Sequence, residues 1–446
     1  MVRRLLASLA LFAGLAIAGT ALDVHVAGAR GGVVPVGAAH RGAPGPRPAC
    51  DPDDGGLTLP DGFCATIFAD SVGAARHLAV RGNGDVFVAL NGRRGGPPGG
   101  VLALRDTDGD GRADVTERFG DAGGTGVGFF DGDLYFAPDD GIIRYDIGPE
   151  ALTPAGPGER IVSGLPGPGT GHAAKNVAID PTGNMYVNIG TPSNACQVET
   201  RTPDSPGQDP CPQLERRGGV WRFDARTPGQ TQEDGTRFAT GLRNTFALAI
   251  RPGTSELWGT QHGRDGLFQL WSDRFTAEDQ AEKPAEEFVH IEEGDDFGWP
   301  YCYYDPIADR KVLAPEYGGD GREVGRCAGK KDPEIGLPAH WAPIATAFYT
   351  GTSFPARYRG GAFVAFHGSW NRAPLPQGGY NVVFIPFANG RPTGEWEVFA
   401  DGFAGEDVSP SGAEHRPTGL AVGPDGALYV ADDSGGRIWK IVYGVG

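Results

Sequence analysis

The sequence predicts an all-β chain, a six-bladed β-propeller with disulfide-pinned loop insertions. Three observations predict it: turn formers dominate the composition, one strand-turn-strand phrase recurs six times, and a further strand signal follows each copy. The 446 residues include 73 Gly and 37 Pro but only two Met. A chain longer than the roughly 100 to 200 residues of an ordinary domain is either several domains or one repetitive architecture. No long apolar stretch recurs at helical spacing, which leaves short strands joined by turns.

The recurring phrase is an apolar triplet, a turn with Pro, Gly or Asp, then an alternating strand with an aromatic near its middle. Its copies are "LAVRGNGDVFVAL" from Leu78, "VGFFDGDLYFA" from Val127, "VAIDPTGNMYVNIG" from Val177, "LAIRPGTSELWGTQ" from Leu248, "IATAFYTG" with "GAFVAFHG" from Ile344, and "LAVGPDGALYVADD" from Leu420. The strands that follow are "GVLALRD", "GIIRYDI", "GGVWRFD", "DGLFQLW", "NVVFIPF" and "GRIWKIV". Radial repetition of such hairpin units protects sheet edges, hence blades. Uneven spacing locates two insertions, at about 191 to 217 inside the third blade and about 272 to 340 after the fourth. Loops of that length need pinning before they order.

Ahead of the repeats, Arg3 and Arg4 precede "LLASLALFAGLAIA", and Ala16 and Ala18 stand in a small-residue cleavage pattern. This predicts a signal peptide over 1–18, with an uncleaved anchor as the alternative, then a flexible leader over 19–54 and the propeller over 55–446. The apolar run is shorter than the roughly 20 residues of a membrane span, so the mature chain is expected to have none. Export to a secreted or periplasmic location fits six cysteines in local couples: Cys50 with Cys64, Cys196 with Cys211, and Cys302 with Cys327. Six cysteines allow 15 connectivities; nearest-neighbour pairing is the simplest. No C-x-x-C-H is present, so no covalent haem is implied, and no spacing suggests zinc. A formal charge of -17 argues against nucleic acid and anionic membrane as partners, because both demand a basic face.

Between the first two copies runs "DTDGDGRADVTE", residues 106 to 117. Carboxylates at Asp106, Asp108 and Asp110, a turn at Gly111, the Arg112 carbonyl and Glu117 in the twelfth position match a calcium loop. Strands rather than a helix pair are expected to enter it, so it reads as a structural staple and not a sensor. An acidic solvated turn is the alternative.

In a propeller the residues just before each blade's first strand ring one mouth of the axis. A fixed offset before each triplet selects Gly73 and Ala74, Ala122 and Gly123, His172, Arg243 with Asn244, His340, and His415 with Arg416. A cationic, imidazole-rich ring in an acidic protein suits an anionic ligand. His172 in "GTGHAAKN" is a candidate general base, or else a histidine tying a loop carbonyl. Trp299, Tyr301, Tyr303 and Tyr304 in "FGWPYCYYD" offer either a sugar-stacking wall or packing around Cys302.

The stretches "GHAAKNVAIDPTGNMYVNIG", "GLRNTFALAIRPGTSELWGTQHG", "FVAFHGSWNR" and "RPTGLAVGPDGALYVADDSGGRI" together resemble the soluble PQQ-dependent sugar dehydrogenases, the glucose and sorbosone dehydrogenase family. The resemblance runs from about residue 57 to the end. It implies pyrroloquinoline quinone (PQQ) across the mouth, calcium (Ca2+) polarising it, and a sugar substrate such as an aldose, pyranose or sorbosone. His172 falls on the family's base, Arg243 and Asn244 on its cofactor pair, and Arg416 on an arginine for a cofactor carboxylate. Gly263 and Arg264 fall where two backbone carbonyls bind the calcium. Three positions depart: Gly171 replaces an acidic residue beside the base, Asn371 and Arg372 stand where the family has a cofactor lysine, and His340 takes the place of a polar cofactor contact. Arg372 can supply the missing charge. With no haem motif, electrons are expected to pass to an external acceptor. The competing readings are a calcium-dependent lactonase, which needs carboxylates in the channel, and a non-catalytic ligand-binding propeller.

Overall fold

The computed structural model describes residues 50–92, 98–167, 169 and 171–444. The fold belongs to the unit Gly45–Gly446. The expected signal peptide and residues 19–49 of the expected leader lie outside the described residues. Residues 50–54 are tied to the propeller: Cys50 is bonded to Cys64, Ile67 N donates to Asp51 Oδ2 at 2.7 Å, and a 3-10 turn spans Asp54–Gly56.

Six antiparallel four-stranded sheets form the six blades. Blade 1 runs Ala75–Val80, Val86–Leu90, Gly100–Arg105 and Val115–Phe119; blade 2 runs Gly124–Phe130, Asp133–Pro138, Ile142–Tyr145 and Glu159–Val162. Blade 3 comprises Val177–Ile179, Asn184–Ile189, Gly219–Asp224 and Thr236–Thr240; blade 4 comprises Ala247–Ile250, Leu257–Gln261, Glu286–Ile291 and Ile335–Leu337. Blade 5 is Pro343–Phe348, Ala362–Phe366, Asn381–Ile385 and Glu397–Ala400. Blade 6 takes three strands from the C-terminal end, Pro417–Val422, Leu428–Asp432 and Ile438–Tyr443, and its fourth, Phe63–Ala69, from the N-terminal end. The first strand of each blade touches the first strands of both neighbours, which closes the ring.

Strand alternation explains the apolar runs. In blade 1, Val86, Val88 and Leu90 pack toward blade 6 with Phe68 and Tyr429, while Phe87 and Ala89 pack toward blade 2 with Leu134 and Phe136. A strand buried on both faces reads as a continuous hydrophobic run, because its neighbours on either side are also sheets. The same sandwiching fills every gap between blades. The densest is between blades 5 and 6, where the Phe63 ring meets those of Phe354 and Phe399 edge-on at 4.7 and 5.0 Å.

Two expectations from the repeat pattern need correction. "DGLFQLW" is no strand: Leu267–Leu270 is a short helix whose Leu267, Leu270 and Trp271 are buried at helical spacing. The third strand of blade 4 is instead Glu286–Ile291, so the second insertion falls within blade 4 and not after it. All three disulfides pair nearest neighbours, and no described cysteine is free.

If closure rests on Phe63–Ala69, then Phe63→Ala should lower stability by about 3 to 5 kcal/mol, read from the midpoint of denaturant unfolding. The control Val198→Ala, at a side chain 61% exposed, should stay within about 0.5 kcal/mol.

Candidate active site

The loop entering blade 3 carries His172. Its backbone N donates to Thr191 O at 3.0 Å, and its ring Nδ1 lies 2.8 Å from the same oxygen. A carbonyl only accepts, so Nδ1 holds the proton and Nε2 keeps its lone pair. Two glycines make room: a Cβ at Gly190 would meet His172 Cβ at 2.7 Å, and one at Gly171, where φ is +30, would meet Pro192 O at 2.5 Å. Gly171 therefore cannot be exchanged for an acidic residue without moving the chain, and the Thr191 carbonyl orients the imidazole instead. Burial, reinforced by the Arg243 charge, pushes the His172 pKa down to about 3.

Arg243 and Asn244 enter blade 4, both buried. Arg243 Nε donates to Asn194 O, Nη1 to Gly263 O and Nη2 to Asp265 Oδ2, at 3.2, 3.1 and 3.2 Å. Asp265 also binds Arg201 at 2.6 Å. Although burial opposes it, the Arg243 charge leads the pairing that holds this carboxyl at about 2. Asn244 Nδ2 faces His262 Nδ1 at 3.4 Å, and His262 Nε2 lies 2.8 Å from Pro343 O, so the ring's proton sits on Nε2. Asn244 Oδ1 is left buried without a partner among the described residues. Beside them Glu286 takes the amides of Gly263 and Ala342 at 2.8 and 3.0 Å, and burial raises its pKa to about 8. Arg264 turns its side chain into a buried pair with Glu316, which leaves only its backbone for ligation.

His340 repeats the Asn-His arrangement. Its Nε2 lies 2.6 Å from Gln280 O and 3.0 Å from Lys283 O, its Nδ1 faces Asn371 Nδ2 at 3.3 Å, and Asn371 Oδ1 is buried without a partner among the described residues. Arg372 is not drawn into this group. It braces backbone, donating to Ala281 O and Ala339 O at 2.8 and 2.9 Å, and lines a groove with Ile307 and Trp396. On the blade 5 and 6 side, Arg416 donates to His367 O and Gly368 O at 2.8 and 3.0 Å. His415 is spent on Asp432, its Nδ1 at 2.8 Å.

The sequence offset missed the ends of the second strands. His262, His367 and Asp433 follow the second strands of blades 4, 5 and 6, and Asp433 joins His367 Nε2 at 2.8 Å to Arg76 Nη1 at 2.5 Å. Those positions sit at a constant place in each copy, so the signal was present in the repeat itself. Asn194, in the first insertion, was missed for want of any pattern. The aromatic segment resolves toward packing: Trp299, Tyr303 and Tyr304 are 5, 4 and 6% exposed, and Trp299 lies against Cys196 and Cys211.

The acidic loop joins strands Gly100–Arg105 and Val115–Phe119 of blade 1. Asp106, Asp108 and Asp114 bring carboxylate oxygens within 4.8 Å of one another. Asp110 is outside that set and accepts from Arg112 N at 2.8 Å; Glu117 lies in the strand, opposite Ala103. Asp114, absent from the expected ligands, is drawn in by Thr107, whose N and Oγ1 donate to its Oδ2 at 2.6 and 2.7 Å.

A six-bladed propeller with imidazoles and guanidiniums converging at its mouth is the class that fold and site define. The chain belongs to the TrAA12-like family, whose model matches residues 57–444. An uncharacterized protein of Borreliella burgdorferi is 31% identical over 208 residues, 46% of this chain and 48% of that protein. A pyrroloquinoline quinone-dependent pyranose dehydrogenase of Coprinopsis cinerea is 34% identical over 125 residues, 24% of this chain. These matches span about half and about a sixth (16%) of the curated relatives' own lengths. The calcium structure of Trichoderma reesei Carbohydrate-Active Enzymes Family AA12 superposes with a TM-score of 0.70 at 18% identity, over 87% of this chain and 97% of that one. The holo form of the C. cinerea pyranose dehydrogenase PQQ domain gives 0.68 at 19% identity, over 90% and 98%. At such identities these structures bear on the fold.

Histidine burial sets a pH dependence. His77, whose Nε2 lies 2.6 Å from Ile344 O, is held by burial at about 4, and His172 at about 3, both below the ordinary 6.5. The unfolded chain takes up these protons first, so the stability they contribute is present above 6.5 and is lost as pH falls toward 4 and 3. Thermal midpoints should hold above pH 6.5 and drop steadily from there to pH 5, as unfolding free energy falls by up to about 1.4 kcal/mol per pH unit per group. His77→Gln, which keeps a donor for Ile344 O, should flatten the drop.

Proposed function

We propose that this chain is a PQQ- and calcium-dependent oxidoreductase that oxidises a sugar hydroxyl, with His172 as the base. The observation that carries the reading is the His172 ring, whose Nδ1 is committed to Thr191 O while Nε2 has no partner among the described residues. The family membership supports it, as does the activity of the C. cinerea relative, a pyrroloquinoline quinone-dependent pyranose dehydrogenase.

The residues of the mouth suit such a cofactor. Among the described residues, Asn244 Oδ1 and Asn371 Oδ1 are buried acceptors without donors, and Arg76 Nε is a buried donor without an acceptor. Leaving such atoms unpaired costs about 1 to 3 kcal/mol each. A planar heteroaromatic acid with carboxylates and a ring N–H offers both kinds of partner. Arg243, Asn244 and Arg416 would hold it, with His340 acting through Asn371 and Arg372 bracing the loop between them. The carbonyls of Gly263 and Arg264 would take the calcium, a hard cation suited to such oxygens.

When bound, the cofactor supplies a hydride acceptor and calcium supplies the Lewis-acid charge that stabilises it. His172 Nε2 accepts the hydroxyl proton as the substrate carbon loses hydride. Burial keeps the ring unprotonated near neutral pH, so the lone pair is available, at a cost in basicity that a base nearer neutrality would not bear. Thr191 O prevents the ring from turning its proton toward the substrate. The electrons then pass to an external acceptor. We also assign the loop of Asp106, Asp108 and Asp114, with Asp110, Arg112 and Glu117 around it, to a second, structural calcium. Three disulfides suit an oxidising, secreted or periplasmic compartment, and no helix among the described residues is long and apolar enough to cross a membrane. Against a lactonase, the carboxylates near the mouth are already taken: Asp265 by Arg243, Asp433 by Arg76, Glu286 by two amides.

Purified apoprotein given PQQ and calcium should shift the cofactor's absorbance at micromolar concentration and then reduce a dye in the presence of sugar. Absence of binding would end the reading. His172→Ala should bind PQQ nearly normally and lose turnover by about 10² to 10⁴. Asp106→Asn with Asp108→Asn should abolish part of the calcium-induced rise in thermal midpoint while leaving PQQ binding intact.

A further inference from the structure

We propose that Lys175 is a positioning residue for His172: its ammonium ties the chain on both sides of the imidazole and so holds the ring in the pose that keeps its proton on Nδ1. The inference rests on the reading of His172 as the base for its catalytic meaning, and on the hydrogen bonds alone for its geometry. Lys175 stands three residues after His172, just ahead of the first strand of blade 3, and it is fully buried.

Residues 172–176 belong to no strand, so their backbone groups lack the ladder bonds a sheet would give them. Other parts of the fold satisfy them one at a time. His172 N donates to Thr191 O at 3.0 Å, Asn188 Nδ2 to Ala174 O at 3.0 Å, and Gly126 N to Lys175 O at 3.0 Å. Lys175 Nζ donates to the Ala173 carbonyl, directly after His172, and to Pro166 O at 2.8 Å on the limb that leads into it. One side chain thus joins the incoming and outgoing limbs around the imidazole. Because Thr191 O takes both the backbone N–H and the Nδ1–H of His172, a shift of the His172 backbone also breaks the bond that fixes its ring proton.

A buried ammonium is a costly way to satisfy two carbonyls. Asn188 serves Ala174 with a neutral amide, whereas no carboxylate pairs with Lys175 among the described residues. What the charge adds is strength, since charge-assisted bonds are roughly twice as strong as neutral ones. A displacement of about 1 Å at a reacting group can cost about 10²-fold in rate, so a strong tie at this place bears on turnover and not on stability alone. Burial brings the Lys175 pKa down to about 8; Asp139 and Asp140, just after the second strand of blade 2, favour the charge, and Arg217 opposes it. The tie is therefore at full strength below about 8 and weakens as pH rises through that value.

The test uses the full chain labelled with ¹⁵N-histidine, with His172→Ala identifying the His172 signals. Before any cofactor is added, the wild type at pH 7 should show Nδ1 protonated and Nε2 bare. In Lys175→Met, which keeps an apolar stem and removes the donors, the Nδ1 proton should exchange with water at least tenfold faster. Turnover of the PQQ- and calcium-loaded variant should fall by about 10- to 100-fold at unchanged PQQ affinity. A structural tie alone would lower the thermal midpoint and leave the His172 signals and kcat as in the wild type; that result overturns the proposal. Should Lys175→Met fail to fold, the wild type decides, because His172, held at about 3, does not itself titrate between pH 7 and about pH 9.5. A shift of its ring signals with a midpoint near 8 supports the proposal, and constant signals over that range overturn it. If the wild type oxidises no sugar yet the His172 proton depends on Lys175, the positioning role stands and the assignment of His172 as base falls. If there is neither oxidation nor such dependence, both fall.

Discussion

Everything at the mouth depends on closing the ring, and one strand pairing does that. Phe63–Ala69 joins Ile438–Tyr443 across the length of the chain, with Phe63 opposite Tyr443 and Ile67 opposite Trp439. Closure is costly in chain entropy, and the reward is concentrated where it is needed: Phe63 anchors the aromatic packing between blades 5 and 6, and Phe68 fills the gap between blades 6 and 1. The consequence reaches the site directly. Arg76 of blade 1 meets Asp433 of blade 6 across this seam, and neither would find its partner in an open chain.

Desolvation then sets the chemistry. His262 and His340 each point a nitrogen at backbone carbonyls, which fixes the proton on Nε2, so each Nδ1 accepts from an asparagine amide. The asparagines are thereby oriented with Oδ1 unsatisfied. Two unrelated loops reach the same result by the same bonds, and a fold gains nothing from burying an acceptor this way unless something else completes it. His172 follows the same logic with a different outcome, since its fixed proton on Nδ1 leaves the lone pair, not a donor, facing outward.

The architecture was legible because blades repeat: an apolar triplet and an alternating strand return at each copy, and both faces of each strand are buried by the next blade. Blade 4 was misread at "DGLFQLW" because a short apolar run carries too few residues to separate a period of two from one of 3.6. At the candidate site, the positions before each first strand are legible by register, and that register selects His172, Arg243 and Arg416. His262, His367 and Asp433 have an equally regular register, one strand later. Arg76 and Glu286 lie within strands, where a charged residue in an apolar pattern reads as an exception, and only the packing of neighbouring blades reveals what they face. Arg372 shows the converse: a cation at the right place in sequence whose guanidinium is consumed by the carbonyls of Ala281 and Ala339.

The two cation sites of the proposed reading differ for a physical reason. In the loop after Gly100–Arg105, carboxylates stand on the rim of blade 1, where Asp106 already orders the turn by accepting from the amides of Gly109 and Gly111 at 2.7 and 2.9 Å. In that reading acidic side chains can serve there, because the loop's own Arg112 turns its guanidinium to Asp51 and Ile67 O and no ion pair takes Asp106, Asp108 or Asp114 among the described residues. At the mouth they could not. Asp265 is shared by Arg243 and Arg201, and Asp433 is held by Arg76, so a carboxylate placed there is captured before a metal can use it. Backbone carbonyls carry no charge to be captured. In that reading the carbonyls of Gly263 and Arg264 serve as calcium ligands: Gly263 O already accepts from Arg243 Nη1 at 3.1 Å, but a carbonyl oxygen keeps a second lone pair, and such ligands leave almost no mark in a sequence.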